Sequence, residues 1–447
     1  MKLHPLVIAV ALATGLGACN RSDTPAAGTE TAVVDQVKLA AELNQLYADY
    51  WEANLKLNPL NATFIGDNRY NAEMPNFFSA EYRRQAHDLS QSWLDKALAL
   101  DGTRLEGPGR ISYEIFVRER QLELEGEKFP DWMMPIDQFT NIAAFVPVLG
   151  SGNSAQPFKT VEDYDNWLKR GAAIPAIYDQ AIANMREGMK AGVVQPKALM
   201  LKVIPQLDAI INDDPAKTTF WGPITNMPKE FSAEDQKRLT EAYRVMIAEQ
   251  LMPAYKRLRA FIADEYLPAT RESVSLSALP DGEAWYAFNA KTQTTTELTP
   301  AEIHEIGLKE VARIQGEMRE VMKQVGFEGD LQAFFKFMTT DKQFMFKDEK
   351  ALLDAYNALR AKIDLKIPEQ FSVLPKAGFE IRPIEPFRAE SSAGGMYQSP
   401  SEDGSRPGIF YVNTFDLPSR KTWDAEDLYL HEAIPGHHFQ IAIQQEL

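Results

Sequence analysis

Along most of the chain, apolar residues recur at spacings of three and four, the pattern of helices that bury one face. One such helix is predicted after Thr160 and Asp163, a weak capping pair. Its apolar face comprises Ile174, Tyr178, Ala181, Met185 and Met189. Residues 299–302 give a stronger start signal, a capping box with proline in the first turn. The face that follows comprises Val311, Ile314, Met318, Val321 and Val325. Residues 37–380 are therefore predicted to form a large, mainly α-helical body whose helices are mostly core.

The pattern becomes strand-like after Pro383. Residues 394–397 and 409–413 are typical of two short strands, and the glycine-containing residues 403–408 between them are typical of a turn. A small antiparallel β element is therefore predicted within residues 381–447.

A helix is expected to follow from about Thr422, with Thr422 or Asp424 as its cap. Glu426 and Asp427 would then lie near its positive end, where carboxylates stabilise the helix dipole. We interpret these two acids as helix-end electrostatics rather than as catalytic groups.

Composition excludes several classes of protein. The 447 residues are 45% hydrophobic and 25% charged, as in ordinary globular proteins. A formal charge of -16, without clusters of Lys and Arg, argues against a nucleic-acid partner. The single Cys excludes an internal disulfide and any Cys-clustered zinc or iron–sulfur site.

That single cysteine, Cys19, follows a segment typical of export signals. Residues 1–18 begin with a positive charge, continue through an apolar stretch and end in small residues. Residues 16–19 resemble the lipobox of bacterial lipoproteins, in which the cysteine carries the lipid. We predict a lipoprotein signal at 1–18, a flexible tether at 19–36 and the body at 37–447. Asn20 favours anchoring to the outer membrane, on the periplasmic side.

The residues that suggest chemistry lie at 431–438, where three of the six histidines are found. His431 and Glu432 begin like the HExxH helix of zinc hydrolases, in which two imidazoles one turn apart bind the ion. Here the position four residues after His431 is Pro435, which cannot bind a metal. In a straight helix His438 would lie about 10 Å along the axis from His431, too far to share one ion.

A deformed helix would remove this difficulty. Pro435 lacks the N–H that a regular helix needs, and Gly436 tolerates unusual backbone angles. A two-residue bulge would bring His437 to the ligand position.

We therefore predict a Zn²⁺ site with His431 and His437 as ligands and Glu432 as the general base. His438 would support a ligand or bind substrate, and an exchange of roles between His437 and His438 remains open. His304, in line with the apolar face of its helix, is interpreted as a core histidine.

Residues 431–440 resemble the signature of the DUF885 family, bacterial proteins similar to gluzincin metallopeptidases of neurolysin-like, largely helical architecture. Further segments that match the family are residues 58–59, 66–70, 294–296, 404–408 and 411–413. The resemblance implies a peptide substrate, whose backbone pairs with an edge strand beside the zinc helix. Residues 409–413 are the expected edge strand.

Three side chains near that strand are candidates for contacts with the substrate: Tyr397, Arg406 and Tyr411. Packing or hairpin hydrogen bonding would explain each of them equally well.

The resemblance also implies a third zinc ligand, a Glu from a helix downstream of the motif. Leu447 follows His438 by nine residues, and Glu446 would lie about 22 Å along the helix from His431. We therefore expect a C-terminally incomplete domain that lacks the third ligand and the group that stabilises the oxyanion. Inactivity is the expected outcome for these 447 residues alone.

Two other functions are compatible with the same residues. The first is a zinc hydrolase of non-peptide amides or esters, because the chemistry of the site is identical. The second is a lipid-anchored binding protein with a vestigial site. An exported zinc peptidase is the preferred hypothesis.

Overall fold

The computed structural model describes residues 27–139, 141–390 and 392–446, with side chains from residue 35 onward except that of Phe387. The predicted signal segment, 1–18, and Cys19 lie outside the described residues. The first helix begins at Ala27, so the predicted tether is helical over residues 27–36.

Helices form most of the body, as predicted. The N-terminal group is α1 (Ala27–Leu57), α2 (Pro59–Ile65), α3 (Ala80–Leu100) and α4 (Gly107–Gly126). The central group is α5 (Ile142–Leu149), α6 (Val161–Ala191), α7 (Lys197–Ile210), α8 (Gly222–Thr225), α9 (Ala233–Val245), α10 (Met252–Ala260) and α11 (Leu267–Ala269). Two π-helical turns, Met246–Leu251 and Phe261–Tyr266, join α9, α10 and α11.

The remaining helices surround a small sheet. They are α12 (Gly282–Thr294), α13 (Pro300–Gln324), α14 (Leu331–Thr340), α15 (Glu349–Asp364), α16 (Ile367–Gln370), α17 (Pro386–Ala389), α18 (Ala425–Glu432) and α19 (His437–Glu446). The strands are β1 (Phe379–Pro383), β2 (Gly395–Gln398) and β3 (Gly408–Val412). No helix in the described part of the chain is both long and apolar enough to cross a membrane.

The prediction for α6 is confirmed. Thr160 and Asp163 form a complete capping box at its start. Of its predicted apolar face, Met189 is partly buried and the other members are buried in the largest core cluster. Local capping and long-range packing therefore agree along this helix.

Arg170 of α6 connects this core to the N-terminal helices. Its side chain is fully buried and donates hydrogen bonds to the carbonyls of Glu73 and Tyr70 and to the hydroxyl of Thr63. Burial lowers the pKa of Arg170 to about 10, partly opposed by Glu73. Because the guanidinium is paired several times over, its burial stabilises one arrangement of α2 against α6.

The capping box of α13 is also confirmed, but the prediction that its apolar face is core is wrong. Val311, Ile314, Met318, Val321 and Val325 are all exposed, by 37% to 62% of their surface. Among the larger apolar groups of this helix, Met322 is buried. His304, expected in the core, is exposed as well. Helical periodicity identifies an apolar face, whereas only tertiary contacts decide whether that face is covered.

The exposed face of α13 gives a test of this difference. We expect Ile314→Gln to change the free energy of unfolding by less than about 0.5 kcal/mol, because the side chain is 40% exposed. Ile177→Ala, at a position 1% exposed in α6, should cost about 3 kcal/mol through lost burial and the cavity left behind. Guanidinium denaturation of both variants measures the contrast, and equal losses would contradict it.

The β element is a mixed sheet with strand order β1-β3-β2. The antiparallel pair β2–β3 is the predicted hairpin and is confirmed, with Tyr397 opposite Phe410 and Met396 opposite Tyr411. β1 pairs with β3 in parallel, with Phe379 opposite Gly408. β1 was not predicted, because the boundary between the helical part and the β part was placed at residue 380, inside this strand.

The third strand changes the role of residues 409–413. They belong to the central strand, so the expectation that they form an edge is wrong. The edge that contacts α18 and α19 is β2. Register makes residues opposite each other share a face, so Tyr397 and Phe410 lie on one side and Met396 and Tyr411 on the other.

Candidate functional site

The histidine motif lies at a break between two helices that pack against one face of the sheet. The contact between helices and sheet is formed by a buried apolar cluster, which includes Tyr429, Ala433, Phe439, Phe379 and Phe410. α18 starts after Asp424, as predicted, and ends at Glu432. The interruption is larger than the expected two-residue bulge, because residues 433–436 separate the end of α18 from the start of α19 at His437.

Pro435 and Gly436 occupy the break. Pro435, preceded by a cis peptide bond, has no N–H to continue the helix. Gly436 lies directly against the end of α18: a Cβ there would be 1.9 Å from the carbonyl oxygen of His431 and 2.3 Å from that of Leu430. This close approach admits only glycine and allows α19 to begin beside His431.

As predicted, the break brings His431 and His437 together. Their ring centroids are 4.8 Å apart and the rings are nearly perpendicular. His431 is exposed and His437 half-buried. Neither imidazole forms a hydrogen bond or ion pair with the described residues, so the ring nitrogens of both are available to a ligand.

Glu432 lies between these histidines in the sequence, but its side chain points inward. It is 7% exposed, and its carboxylate has no hydrogen bond or ion pair within the described part of the chain. Burial raises the pKa of Glu432, whereas the nearby imidazoles of His437 and His431 lower it. A largely buried carboxylate with a raised pKa and no partner among the described residues is typical of functional groups.

His438 has a different environment from His437. It is 1% exposed; its Nδ1 lies 2.8 Å from the hydroxyl of Tyr397, and its Nε2 lies 3.0 Å from the carbonyl oxygen of Ala377. A carbonyl can only accept, so Nε2 donates to Ala377 and the neutral ring accepts from Tyr397 at Nδ1. Burial lowers the pKa of His438, partly opposed by the Ala377 bond. Of the two alternative ligands, His437 is the one with free ring nitrogens.

Glu446, at the other end of α19, accepts hydrogen bonds from the backbone N–H groups of Lys376 and Ala377. Together with the His438 bond to Ala377, it fixes the loop before β1 to this helix. The Glu446 carboxylate is therefore bound to backbone N–H groups about two helical turns beyond His438. This position agrees with the expectation that Glu446 is not a zinc ligand.

Tyr397 and Tyr411, both candidates for contacts with the substrate, lie on opposite faces of the sheet. Tyr397 faces the motif: its ring lies parallel to that of His437, with centroids 6.3 Å apart. A Cβ at Gly408 would be 2.5 Å from the Tyr397 hydroxyl, so this packing needs glycine there. Tyr411 is 4% exposed in a separate cluster with Ile384 and Ile409.

Arg406 ties the hairpin turn to α2. It donates hydrogen bonds to the carbonyls of Ser399 and Phe64. The turn is also held by Glu402, whose N–H donates to the carbonyl of Ile65 at 2.7 Å. These hydrogen bonds join the hairpin turn to the end of α2.

A catalytic zinc ion in a protein usually has three protein ligands and a water. His431 and His437 suit two of these positions in chemistry and in mutual distance. The described residues contain no group of three or more His, Cys, Asp or Glu side chains that could hold a metal ion. The donors present therefore fit part of a zinc site.

Two further polar side chains lie near the motif and were not predicted. Arg420 precedes α18, and its Nε atom is buried without a hydrogen-bond partner in the described residues. Tyr356 of α15 is 3% exposed and stacks edge-on against Phe410. The sequence carries no signal for either, because the unpaired Nε atom of Arg420 and the burial of Tyr356 arise only from the tertiary arrangement.

Two solved structures resemble this fold. One is a candidate lipoprotein from Colwellia psychrerythraea, with a TM-score of 0.80 and 21% identity over 92% of this chain and 73% of that one. The other is a candidate lipoprotein of unknown function from Shewanella oneidensis, with a TM-score of 0.60 and 15% identity over 90% of this chain and 72% of that one. At these identities the likeness concerns the fold alone.

No curated protein sequence matches the chain. One family model does, over residues 59–447, and its description is "bacterial protein of unknown function". The match covers most of the chain and includes the histidine motif and the hairpin. The protein therefore belongs to the DUF885 family.

Proposed function

We propose that this protein is an exported, zinc-dependent hydrolase of peptide bonds, with the metallopeptidase-like architecture that the motif implies. The observation that carries the proposal is the state of three neighbouring side chains. His431, Glu432 and His437 have no hydrogen bonds or ion pairs with the described residues, whereas His438 beside them has both ring nitrogens engaged. Titratable side chains that are gathered at a helix break and have no partner among the described residues are typical of a ligand site.

His431 and His437 would hold the zinc ion through their free ring nitrogens. The third protein ligand would come from outside the described residues. When bound, zinc polarises a carbonyl and lowers the pKa of a water molecule toward about 7.

Glu432 would act as the general base. Glu432 directly follows His431 in the sequence, and its carboxylate has no competing partner among the described residues, so it can accept the proton of the attacking water. The same carboxylate can then return that proton to the leaving amine. Its burial keeps bulk water from competing for the proton.

His438 and Tyr397 would act as positioning residues. The hydrogen bond between them joins α19 to β2, and the Ala377 bond fixes the other side of the ring. β2 takes the role expected of an edge strand, since it contacts both helices of the motif. Backbone pairing along this edge would align a peptide beside His437.

For the location we propose a lipid anchor at Cys19 and a body on the periplasmic side of the outer membrane. The support is the sequence of residues 1–19 and the description of two proteins of similar fold as candidate lipoproteins. Globomycin treatment of cells that express the full sequence should make the unprocessed precursor accumulate. Unchanged processing of a Cys19→Ala variant would contradict the anchor.

Zinc binding by the purified chain tests the proposed function most directly. We expect about one zinc ion per chain, with the affinity reduced at least about 100-fold in His431→Ala and in His437→Ala. His304→Ala is the matched control, because this exposed histidine lies on α13. Competition with a chromophoric chelator measures the affinity, and mass spectrometry of a peptide library measures cleavage. Zinc binding that survives both changes would contradict the proposed site, and cleavage of amides or esters alone would replace peptides as substrates.

A further inference from the structure

Arg420 is a partly buried cation without a partner among the described residues. Its side chain forms no hydrogen bond or ion pair with the described residues, and its Nε atom is buried. Leaving a guanidinium donor buried and unsatisfied is costly, and such groups in native proteins are almost always paired. The planar guanidinium presents a fork of donors that matches a carboxylate.

The backbone around Arg420 is held firmly. Lys421, 7% exposed, donates hydrogen bonds from its ammonium group to the carbonyls of Thr339 and Pro418, each at 2.6 Å. The N–H of Thr422 donates to the carbonyl of Phe344 at 3.0 Å. These hydrogen bonds therefore fix the position of the segment that carries Arg420.

Its position is at the beginning of the edge strand, next to the motif helix. A Cβ built at Gly394 would be 2.8 Å from Nη1 of Arg420 and 3.8 Å from Cδ2 of Leu428. Leu428 lies one helical turn before Glu432 on α18. The guanidinium thus occupies the space between the start of β2 and the helix that carries Glu432.

The electrostatic environment of Tyr356 indicates that Arg420, Asp424 and Glu432 lie in one region. Burial raises the pKa of Tyr356, Asp424 raises it further, Arg420 lowers it, and Glu432 raises it. Arg420 and Asp424 form no ion pair with each other, although both act on this hydroxyl. The region therefore contains a cation that is not neutralised by either neighbouring carboxylate.

We infer that Arg420 binds a carboxylate of the peptide substrate, in the first place the α-carboxylate at its C-terminus. A peptide paired with β2 would come to the strand's beginning, and Arg420 stands at that end. An end-binding residue would favour cleavage near the C-terminus of short peptides. This inference rests on the proposed function and names the class of substrate for the same site.

Peptide binding to the full chain tests the inference without turnover. In the Glu432→Gln background, isothermal titration calorimetry compares acetyl-tetraalanine, its C-terminal amide, and an amide with Glu at the last position. We expect the free acid to bind at least about tenfold more tightly than the alanine amide, as for a charge-assisted pair. Arg420→Gln should abolish the difference and Arg420→Lys should reduce it, whereas the control Arg244→Gln, an exposed arginine on α9, should keep it.

The outcomes of these peptide titrations support or contradict a carboxylate site at Arg420. Equal binding of acid and amide, no binding of either, or a preference that survives Arg420→Gln overturns the inference. If the Glu-containing amide binds as tightly as the free acid, and needs Arg420, the carboxylate comes from a side chain. If Arg420→Gln fails to fold, judged by circular dichroism, the acid-to-amide comparison with intact Arg420 and the Arg420→Lys variant still decide.

The inference and the proposed function fail in different experiments. Zinc-dependent cleavage without a preference for free acids would overturn the carboxylate site and leave the hydrolase. An Arg420-dependent preference without cleavage or zinc binding would leave the carboxylate site and remove the hydrolase.

Discussion

In a protein that also supplies the third zinc ligand, Glu432→Gln is expected to lower the turnover of peptide substrates by about 1,000-fold while zinc binding and folding remain. The amide has nearly the shape of the carboxylate but cannot accept the proton of the attacking water. Glu432 has no hydrogen bond or ion pair to the described residues, so the change breaks no structural contact. Removing a buried charge should leave the unfolding free energy unchanged or slightly increased.

Turnover is measured by liquid chromatography and mass spectrometry of the peptide products, and zinc by chelator competition on the same samples. Glu426→Gln is the matched control, since Glu426 lies on α18 but is exposed and paired at the surface with Lys362. Its activity should stay close to that of the unchanged chain. Retained activity in Glu432→Gln would show that another group serves as the base.

Gly436→Ala should lower the free energy of unfolding by about 2–3 kcal/mol and also abolish zinc binding. The added methyl would lie 1.9 Å from the carbonyl oxygen of His431. That oxygen belongs to the backbone, so relief of the clash requires α18 and α19 to move apart. Because His431 ends one helix and His437 starts the next, the movement separates the two imidazoles.

A glycine in an open helix provides the control for this prediction. Gly316 of α13 has no atom within 4 Å of an added Cβ, so Gly316→Ala should stabilise the protein by about 0.5–1 kcal/mol. Urea denaturation gives both stabilities, and titration with zinc gives both affinities. Normal zinc affinity in Gly436→Ala would mean that the helix break does not position the ligands.

Features set by neighbours in the sequence were predictable. The capping boxes of α6 and α13 involve side chains three residues apart, and the hairpin depends on alternation and a glycine turn. The approach of His437 to His431 followed from Pro435, whose missing N–H acts on the adjacent turn. Each of these signals needs only a few consecutive residues.

The predictions that were wrong concern features that depend on residues far apart in the sequence. The apolar face of α13 has the same periodicity as that of α6, yet one is exposed and the other is buried. β3 was expected at an edge because β1, some 30 residues earlier in the chain, carries no sign of which strand it pairs with. Which strands pair, and whether a helix face is covered, depends on contacts between residues far apart in the sequence. A local pattern of residues does not contain this information.

The sequence by itself determined the family, the helical class and the cluster of His431, Glu432 and His437. Only the tertiary structure decided that both ring nitrogens of His438 are bonded, to Tyr397 and Ala377, and that Tyr411 faces away from the motif. It also decided that Arg420 has no partner in the part of the chain that the structure describes. The physical reason is that residue type sets what a side chain can bond, whereas the surrounding fold sets whether that bond is already made.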